Sequence, residues 1–291
     1  HTMTGSADQA WRLLERRLEE LVGRAADGGV RLTVALRDPD RRMLVGGAGP
    51  YRSASLIKLP VLATLLHGVD GGTVDLGRTL TLTGDEDALV GGTGAGALRD
   101  RSFPTEVTVG ALAGLMVTIS DNSATNLIID GLGGFGPVNR YMAELGYRGF
   151  HLGRVMMAPV TGADGDNRFL PDELTDLLAR ILRDRDRDRD RDGGADGDVL
   201  TADSAGVFLD LMGRQRVDTK FGAVIPRSVL ANKTGELDDV SHDAGYLLVP
   251  GARPLVVTAA TSFPAGHAGQ DADRLVQQVG TAAYGYAAGS S

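Results

Sequence analysis

The chain has 291 residues, 42% apolar and 23% charged, enough for one large domain or two interleaved ones with an ample core, in an ordinary soluble globular class. A net charge of −8 gives a nucleic-acid backbone no electrostatic support, and the lack of cysteine excludes disulfides, thiol nucleophiles and zinc–cysteine sites. No apolar run reaches the ~18 residues of a membrane span.

In chain order, the opening HTMTGSADQAW shows no signal-peptide core. His1-Thr2 reads as a cloning scar before Met3. With Met3 as native start the protein is expected to be cytoplasmic, and with a leader removed it is expected to be secreted. DQAWRLLERRLEELVGRAA repeats apolar residues at three-to-four spacing and predicts an amphipathic helix over 8–26. VRLTVALRD alternates and is β-branched, which predicts a strand over 30–38, with RRMLVGG pairing across the Asp38-Pro39-Asp40 turn. LIKLPVLATLL suits a buried helix. From about 65 to 200 the pattern is helical segments and glycine-rich loops with little strand character. SAGVFLDLMGRQ then reads as helix, SVLANKTG, AGYLLVPG and PLVVTAATS as strands, and DADRLVQQVGTAAYGYAA as a closing helix. Strands near both ends with helices between predict one α/β domain built from both termini, 1–62 and 203–291, with an all-α domain, 63–202, inserted in it. RDRDRDRDRD, 183–192, is low in complexity and predicts an exposed helix end running into a mobile loop.

Of the 30 basic residues, only Lys58, Lys220 and Lys233 are lysines, leaving 27 arginines. Arginine keeps its proton in a protein, whereas a buried or crowded lysine can lose it, so the few lysines retained are candidates for chemistry. Ser55 and Lys58 are three apart and would share one helix face, where a neutral amine can take the serine's proton. Ser120-Asp121-Asn122 precedes a helical stretch, where Ser120 could relay a proton and Asn122 hold a substrate amide. Lys233-Thr234-Gly235 lies on a predicted strand, where a lysine and a hydroxyl can hold a carboxylate and Gly235 lets substrate backbone lie alongside. Each has a plain structural explanation when taken singly: a capping serine beside a snorkelling lysine, N-cap residues, a strand end.

Together they form an ordered signature: Ser-x-x-Lys, Ser-Asp-Asn about 65 residues on, and Lys-Thr-Gly about 110 later. On these motifs, with EVTVGALAGLMVTISDNSATNLII and NKTGELDDVSHDAGYLLVPGARPLVVTAATS around them, nearly the whole chain resembles the class A β-lactamase family and its related serine hydrolases. The resemblance implies a β-lactamase/transpeptidase-like α/β fold, an antiparallel sheet flanked by terminal helices plus the inserted all-α domain, which would carry the Ser-Asp-Asn motif and the Ω-loop. It implies Ser55 as acylated nucleophile, Lys58 as its base or proton relay, Ser120 as proton shuttle and Asn122 as a contact for the acyl amide. Lys233 and Thr234 would hold the substrate carboxylate, and the backbone N–H groups of Ser55 and Glu236 would form the oxyanion hole.

Several positions depart from the family. Met156 falls where the Ω-loop glutamate is expected, after a well-aligned Arg154, and Ala158 follows Arg-Val-Met-Met where related serine hydrolases carry an acidic residue; the methionines read as packing. The next carboxylates are Asp164 and Asp166, then Asp172 and Glu173 at a helix start, which read as helix-dipole acids. Glu236 follows Lys-Thr-Gly where a small residue is usual, and could repel an anion or bind an amine. His242, either structural or facing the site, could titrate near neutrality. GGTGAGAL, 91–98, replaces an aromatic gate; its Gly92-Thr93-Gly94 resembles a nucleotide loop, but no strand precedes it. The expected activity is acyl-enzyme hydrolysis of β-lactams or related amides and esters, slow in deacylation. The alternative is a non-turnover penicillin-binding or sensor protein, or an acyltransferase or esterase of specialised metabolism. The expected partner is a small-molecule substrate (β-lactam, ester or peptide-like), with no cofactor, metal, nucleic acid or membrane span, and a monomer is expected.

Overall fold

The computed structural model describes residues 3–91, 97–162, 165–187, 198–266 and 269–289. The chain separates into two compact units, residues 1–56, 169–179 and 217–291 in one, and 57–168 and 180–216 in the other. The sequence pattern puts the junctions at 62/63 and 202/203, and the structure divides the chain at 56/57 and 216/217 and returns 169–179 to the first unit.

In chain order the elements are α1 (Met3–Asp27), β1 (Arg31–Arg37), β2 (Arg42–Val45), β3 (Tyr51–Arg52), a 3₁₀ turn over Ala54–Ile57, and α2 (Lys58–Asp70). There follow β4 (Thr79–Leu82), β5 (Thr105–Thr108), α3 (Val109–Thr118), α4 (Asn122–Gly131), α5 (Phe135–Glu144), β6 (Arg168–Phe169) and α6 (Pro171–Arg185). The chain closes with α7 (Ala202–Gly213), α8 (Phe221–Val224), β7 (Leu230–Leu237), β8 (Val240–Leu247), β9 (Leu255–Ser262) and α9 (Gly269–Ala287).

The first unit is built on a five-stranded antiparallel sheet in the order β2-β1-β9-β8-β7. The terminal helices supply its apolar cover. Trp11, Leu14, Leu18, Leu21 and Ala25 recur at helical spacing on α1 and bury with Ala272, Val276, Val279 and Ala283 of α9 against Leu32, Val34, Leu36 and Val257 of the sheet. Residues 169–179 join this unit through specific contacts. Thr175 Oγ1 lies 2.8 Å from Thr258 Oγ1, the Tyr246 hydroxyl donates to Leu178 O at 2.9 Å, and Arg37 pairs with Asp172 and Asp176. Asp172 therefore acts as an ion-pair partner at the start of α6, in keeping with its reading as a helix-terminal acid.

The second unit is mostly helical. Leu59 to Leu66 of α2 are all buried, because the segment is apolar on every side of the helix. A short antiparallel ribbon, β4 with β5, interrupts the helices. Little in the residue pattern signals it, since Thr79 and Thr81 are exposed and each strand has only four residues. The start of the Arg-Asp run is also less exposed than its pattern predicts. Asp184 is buried and accepts hydrogen bonds from the backbone N–H groups of Val199 and Leu200, and Arg187 pairs with Asp198. Residues 188–197 of that stretch lie outside the described residues, as do Gly92–Gly96 of the glycine-rich loop and Asp164. Among the described residues no helix is long and apolar enough to cross a membrane.

Candidate active site

All three lysines are fully buried. The side chains picked out by the sequence fall into two groups, one in each unit.

In the second unit, Lys58 opens α2 and its Nζ donates to Ser120 O at 2.8 Å, Ser120 Oγ at 2.9 Å and Asn122 Oδ1 at 2.8 Å. Three oxygens match the three hydrogens of an ammonium, and one belongs to a hydroxyl able to exchange a proton with the amine. The Ser-Asp-Asn motif divides its labour. Asp121 is the N-cap of α4: its Oδ1 accepts from Ala124 N at 2.8 Å and its Oδ2 from Leu98 N at 2.7 Å. The capping explanation thus holds for the aspartate, while Ser120 and Asn122 turn to the lysine.

The loop after α5 is tied at several points in the same unit. Arg154 Nε donates to Asp166 Oδ1 at 2.8 Å, and both side chains are largely buried. Asn167 Oδ1 accepts from the N–H groups of Gly153 and Arg154. Asp166, one of the carboxylates nearest to Met156 in the sequence, is thus engaged in holding the loop. Met156 is buried, as a packing residue should be. Its N–H donates to Asn126 Oδ1 at 2.7 Å and its carbonyl accepts from Asn126 Nδ2 at 3.2 Å. Sequence reasoning passed over Asn126; its one signal was a position four residues after Asn122, on the same helix face.

In the first unit, Ser55 lies in the 3₁₀ turn over Ala54–Ile57. A Cβ placed on Gly235 would meet Leu56 N at 3.1 Å and Ser53 O and Ser55 N at 3.2 Å. The glycine of Lys-Thr-Gly therefore lets β7 approach the backbone that carries Ser55, a reason different from the substrate contact read in the sequence. Lys233 and Thr234 are buried on the same strand, and Lys233 Nζ donates to Thr234 O at 2.8 Å. Burial lowers the Lys233 pKa to about 7; the nearby charge of Lys220 pushes the same way, while Asp243 and Glu236 oppose it. Asp243 is raised to about 6 by burial, against hydrogen bonds from Asn232 and from Phe221 N.

Glu236 is exposed, but its Oε2 lies 3.0 Å from the buried Lys220 Nζ, with Asp273 Oδ1 at 3.8 Å from the same ammonium. Lys220 was visible in the sequence only as the third lysine of an arginine-rich chain.

His242 has both ring nitrogens engaged within the first unit. It is buried, its Nε2 is 2.8 Å from Arg52 O, and its Nδ1 accepts from Thr261 N at 3.1 Å. That acceptor role leaves the proton on Nε2, which donates to Arg52 O. Its ring meets Tyr51 and Phe169 edge-on. Burial drives its pKa down to about 4, so of the two alternatives left by the sequence, structural or site-facing, these contacts favour the structural one and speak against titration near neutrality.

Left-handed backbone at non-glycine residues gathers around these motifs. Among the described residues it occurs at Ala54 (φ 47°), just before Ser55, at Ser120 itself (φ 60°), and at Met157 (φ 68°). Strain of this kind persists where the surrounding structure holds a side chain to a required direction.

Fold and motif order together are those of the class A β-lactamase family. The chain belongs to the beta-lactamase enzyme family, whose profile matches residues 13–287. It is 29% identical over 203 residues to the β-lactamase AER-1 of Aeromonas hydrophila, covering 67% of this chain and 60% of that protein. It is 28% identical over 255 residues to a β-lactamase of Streptomyces fradiae, covering 86% of this chain and 76% of that one. Among solved structures, the β-lactamase of Sphaerobacter thermophilus superposes with a TM-score of 0.79 at 26% identity, covering 93% of this chain and 97% of that one. A mutant of PBP-A, solved as an acyl-enzyme complex with penicillin G, superposes with a TM-score of 0.78 at 27% identity, covering 94% and 95%.

Proposed function

We propose that this protein hydrolyses β-lactams, or related amides and esters, through an acyl-enzyme on Ser55. The observation that carries the reading is the Lys58 amine, buried and placed against Ser120 Oγ and Asn122 Oδ1; in its neutral form it can accept the serine's proton. A buried amine hydrogen-bonded to a hydroxyl, one turn of chain after a serine, is the equipment needed to take a proton from that serine and pass it on. Ser55 Oγ attacks the carbonyl carbon, Lys58 takes its proton, and Ser120 delivers a proton to the nitrogen that departs. Backbone N–H groups of Ser55 and Glu236 stabilise the developing oxyanion. Lys233 and Thr234 hold a substrate carboxylate, and Asn122 meets the acyl amide. Water then releases the acyl group and restores Ser55.

Release is the slow step in this reading. Met156 occupies the position where the class A pattern puts a glutamate, and Asp166 is engaged by Arg154. These two observations favour a second reading, a lasting penicillin-binding acyl-enzyme; a mutant of the similar protein PBP-A has been solved as an acyl-enzyme complex with penicillin G.

Intact-protein mass spectrometry after mixing with benzylpenicillin, with parallel absorbance of a chromogenic cephalosporin, separates them. Turnover without a persistent adduct supports the hydrolase. A stoichiometric adduct on Ser55 with little turnover supports the second reading. Neither adduct nor turnover, with β-lactams and with simple esters, defeats both.

A further inference from the structure

The residue after Lys-Thr-Gly places a carboxylate of the protein's own on a second buried lysine, Lys220, close to Lys233, the lysine expected to grip a carboxylate of the substrate. Lys220 has no exposed surface, whereas the Glu236 side chain bonded to it is 62% exposed. The carboxylate of Glu236 therefore lies on the solvent side of the Lys220 ammonium. A buried ammonium demands an anionic or hydrogen-bonding partner, and Glu236 provides one at 3.0 Å. Lys220 would not be stranded if that partner left. Asp273 Oδ1 is 3.8 Å away on the helix α9 side, and is itself held by Ser241 Oγ at 2.5 Å. The pair is thus built as one permanent and one replaceable contact. Lys233 lies within the electrostatic reach of both Lys220 and Glu236, so an anion bound at Lys233 and Thr234 feels the Glu236 charge as well. Asp238 follows in the same hairpin, while the next acid, Asp239, is paired with Arg52 at 2.6 Å.

We propose that Glu236 is an internal competitor for the substrate carboxylate, occupying Lys220 and turning the site toward substrates that lack a free carboxylate at this position. This rests on the reading of Lys233 and Thr234 as the carboxylate grip, and it assigns Glu236 a specificity role rather than a part in bond making. An uncharged ester or amide meets no such competition. A penicillin must displace Glu236 from Lys220 or bind beside it against like charge.

The test measures binding without chemistry. Ser55→Ala removes acylation, and isothermal titration of benzylpenicillin and of its methyl ester into Ser55→Ala and Ser55→Ala/Glu236→Gln gives four dissociation constants. Glu236 is on the surface, so the glutamine variant keeps the fold, and Glu236→Ala serves as a second variant. The expected result is that losing the charge tightens the acid about 3- to 30-fold relative to the ester. Equal changes for acid and ester, a weaker acid, or no measurable binding of the acid in either protein overturns the proposal. Failure of the acyl-enzyme reading is seen separately, as absence of a Ser55 adduct in the unsubstituted protein.

Discussion

Lys58 and Lys233 have the same burial and different company. Lys58 is wrapped by three oxygens, two of them from side chains of the Ser-Asp-Asn motif. Lys233 donates to the neighbouring carbonyl of Thr234 and shares its surroundings with a second buried ammonium, that of Lys220. Burial alone therefore does not assign a lysine its task. A hydroxyl that can trade a proton suits a base, while a cation weakened by burial and by a like charge suits a grip whose strength changes near neutral pH.

The largest effect should come from breaking the first of these environments. Lys58→Arg keeps the charge but cannot give up its proton, so acylation of Ser55 should slow by about 10²- to 10⁴-fold. Adduct formation followed by mass spectrometry checks it, with circular dichroism to show that the fold survives. Acylation at the original rate would remove Lys58 from the base role. Next, a carboxylate introduced by Met156→Glu or Ala158→Glu should speed release of the acyl group, by roughly 10- to 1,000-fold if it positions water. Adduct lifetime measures this, and an unchanged lifetime in both variants means that water reaches the ester by another route.

Asn126→Ala should cost about 1–3 kcal/mol, because the N–H and the C=O of Met156 both lose their partner. Denaturant titration gives the value, and a shift below a few tenths would show that water replaces the amide. The smallest effect concerns the second environment. Lys233 is protonated below about pH 7 and neutral above it, so the KM for benzylpenicillin should rise as pH increases through 7. The slope is at most about tenfold per pH unit, with no matching rise for the methyl ester. The stability term has the opposite slope. Between about pH 7 and the ordinary lysine pKa of 10.5, the unfolded chain binds the proton that folded Lys233 has shed, so this residue's contribution to stability increases with pH. Parallel KM curves for acid and ester would place the carboxylate elsewhere.

Much of this molecule could be read from its letters because the informative patterns are local. Periodicity showed α1, β1, β7 to β9 and α9. The Ser55–Lys58 spacing and the Ser120-Asp121-Asn122 triplet are contained in single stretches of chain. What was illegible depends on partners distant in sequence. Asp166 is explained by Arg154, Glu236 by Lys220, and His242 by Arg52 and Thr261. Nothing in the immediate neighbours of His242 signals that both ring nitrogens are engaged. Gly235 looked like a place for substrate, and only its approach to the Ser55 backbone shows a packing reason.

The burial of every lysine has a practical consequence for handling the protein. Reagents that acylate primary amines will find no side-chain target on its surface, although 27 arginines give it ample positive charge there and elsewhere. Dyes, cross-linkers and resin couplings that depend on lysine should leave the folded protein nearly unmarked. A lysine that does become labelled then reports that one of its buried ammonium sites has opened.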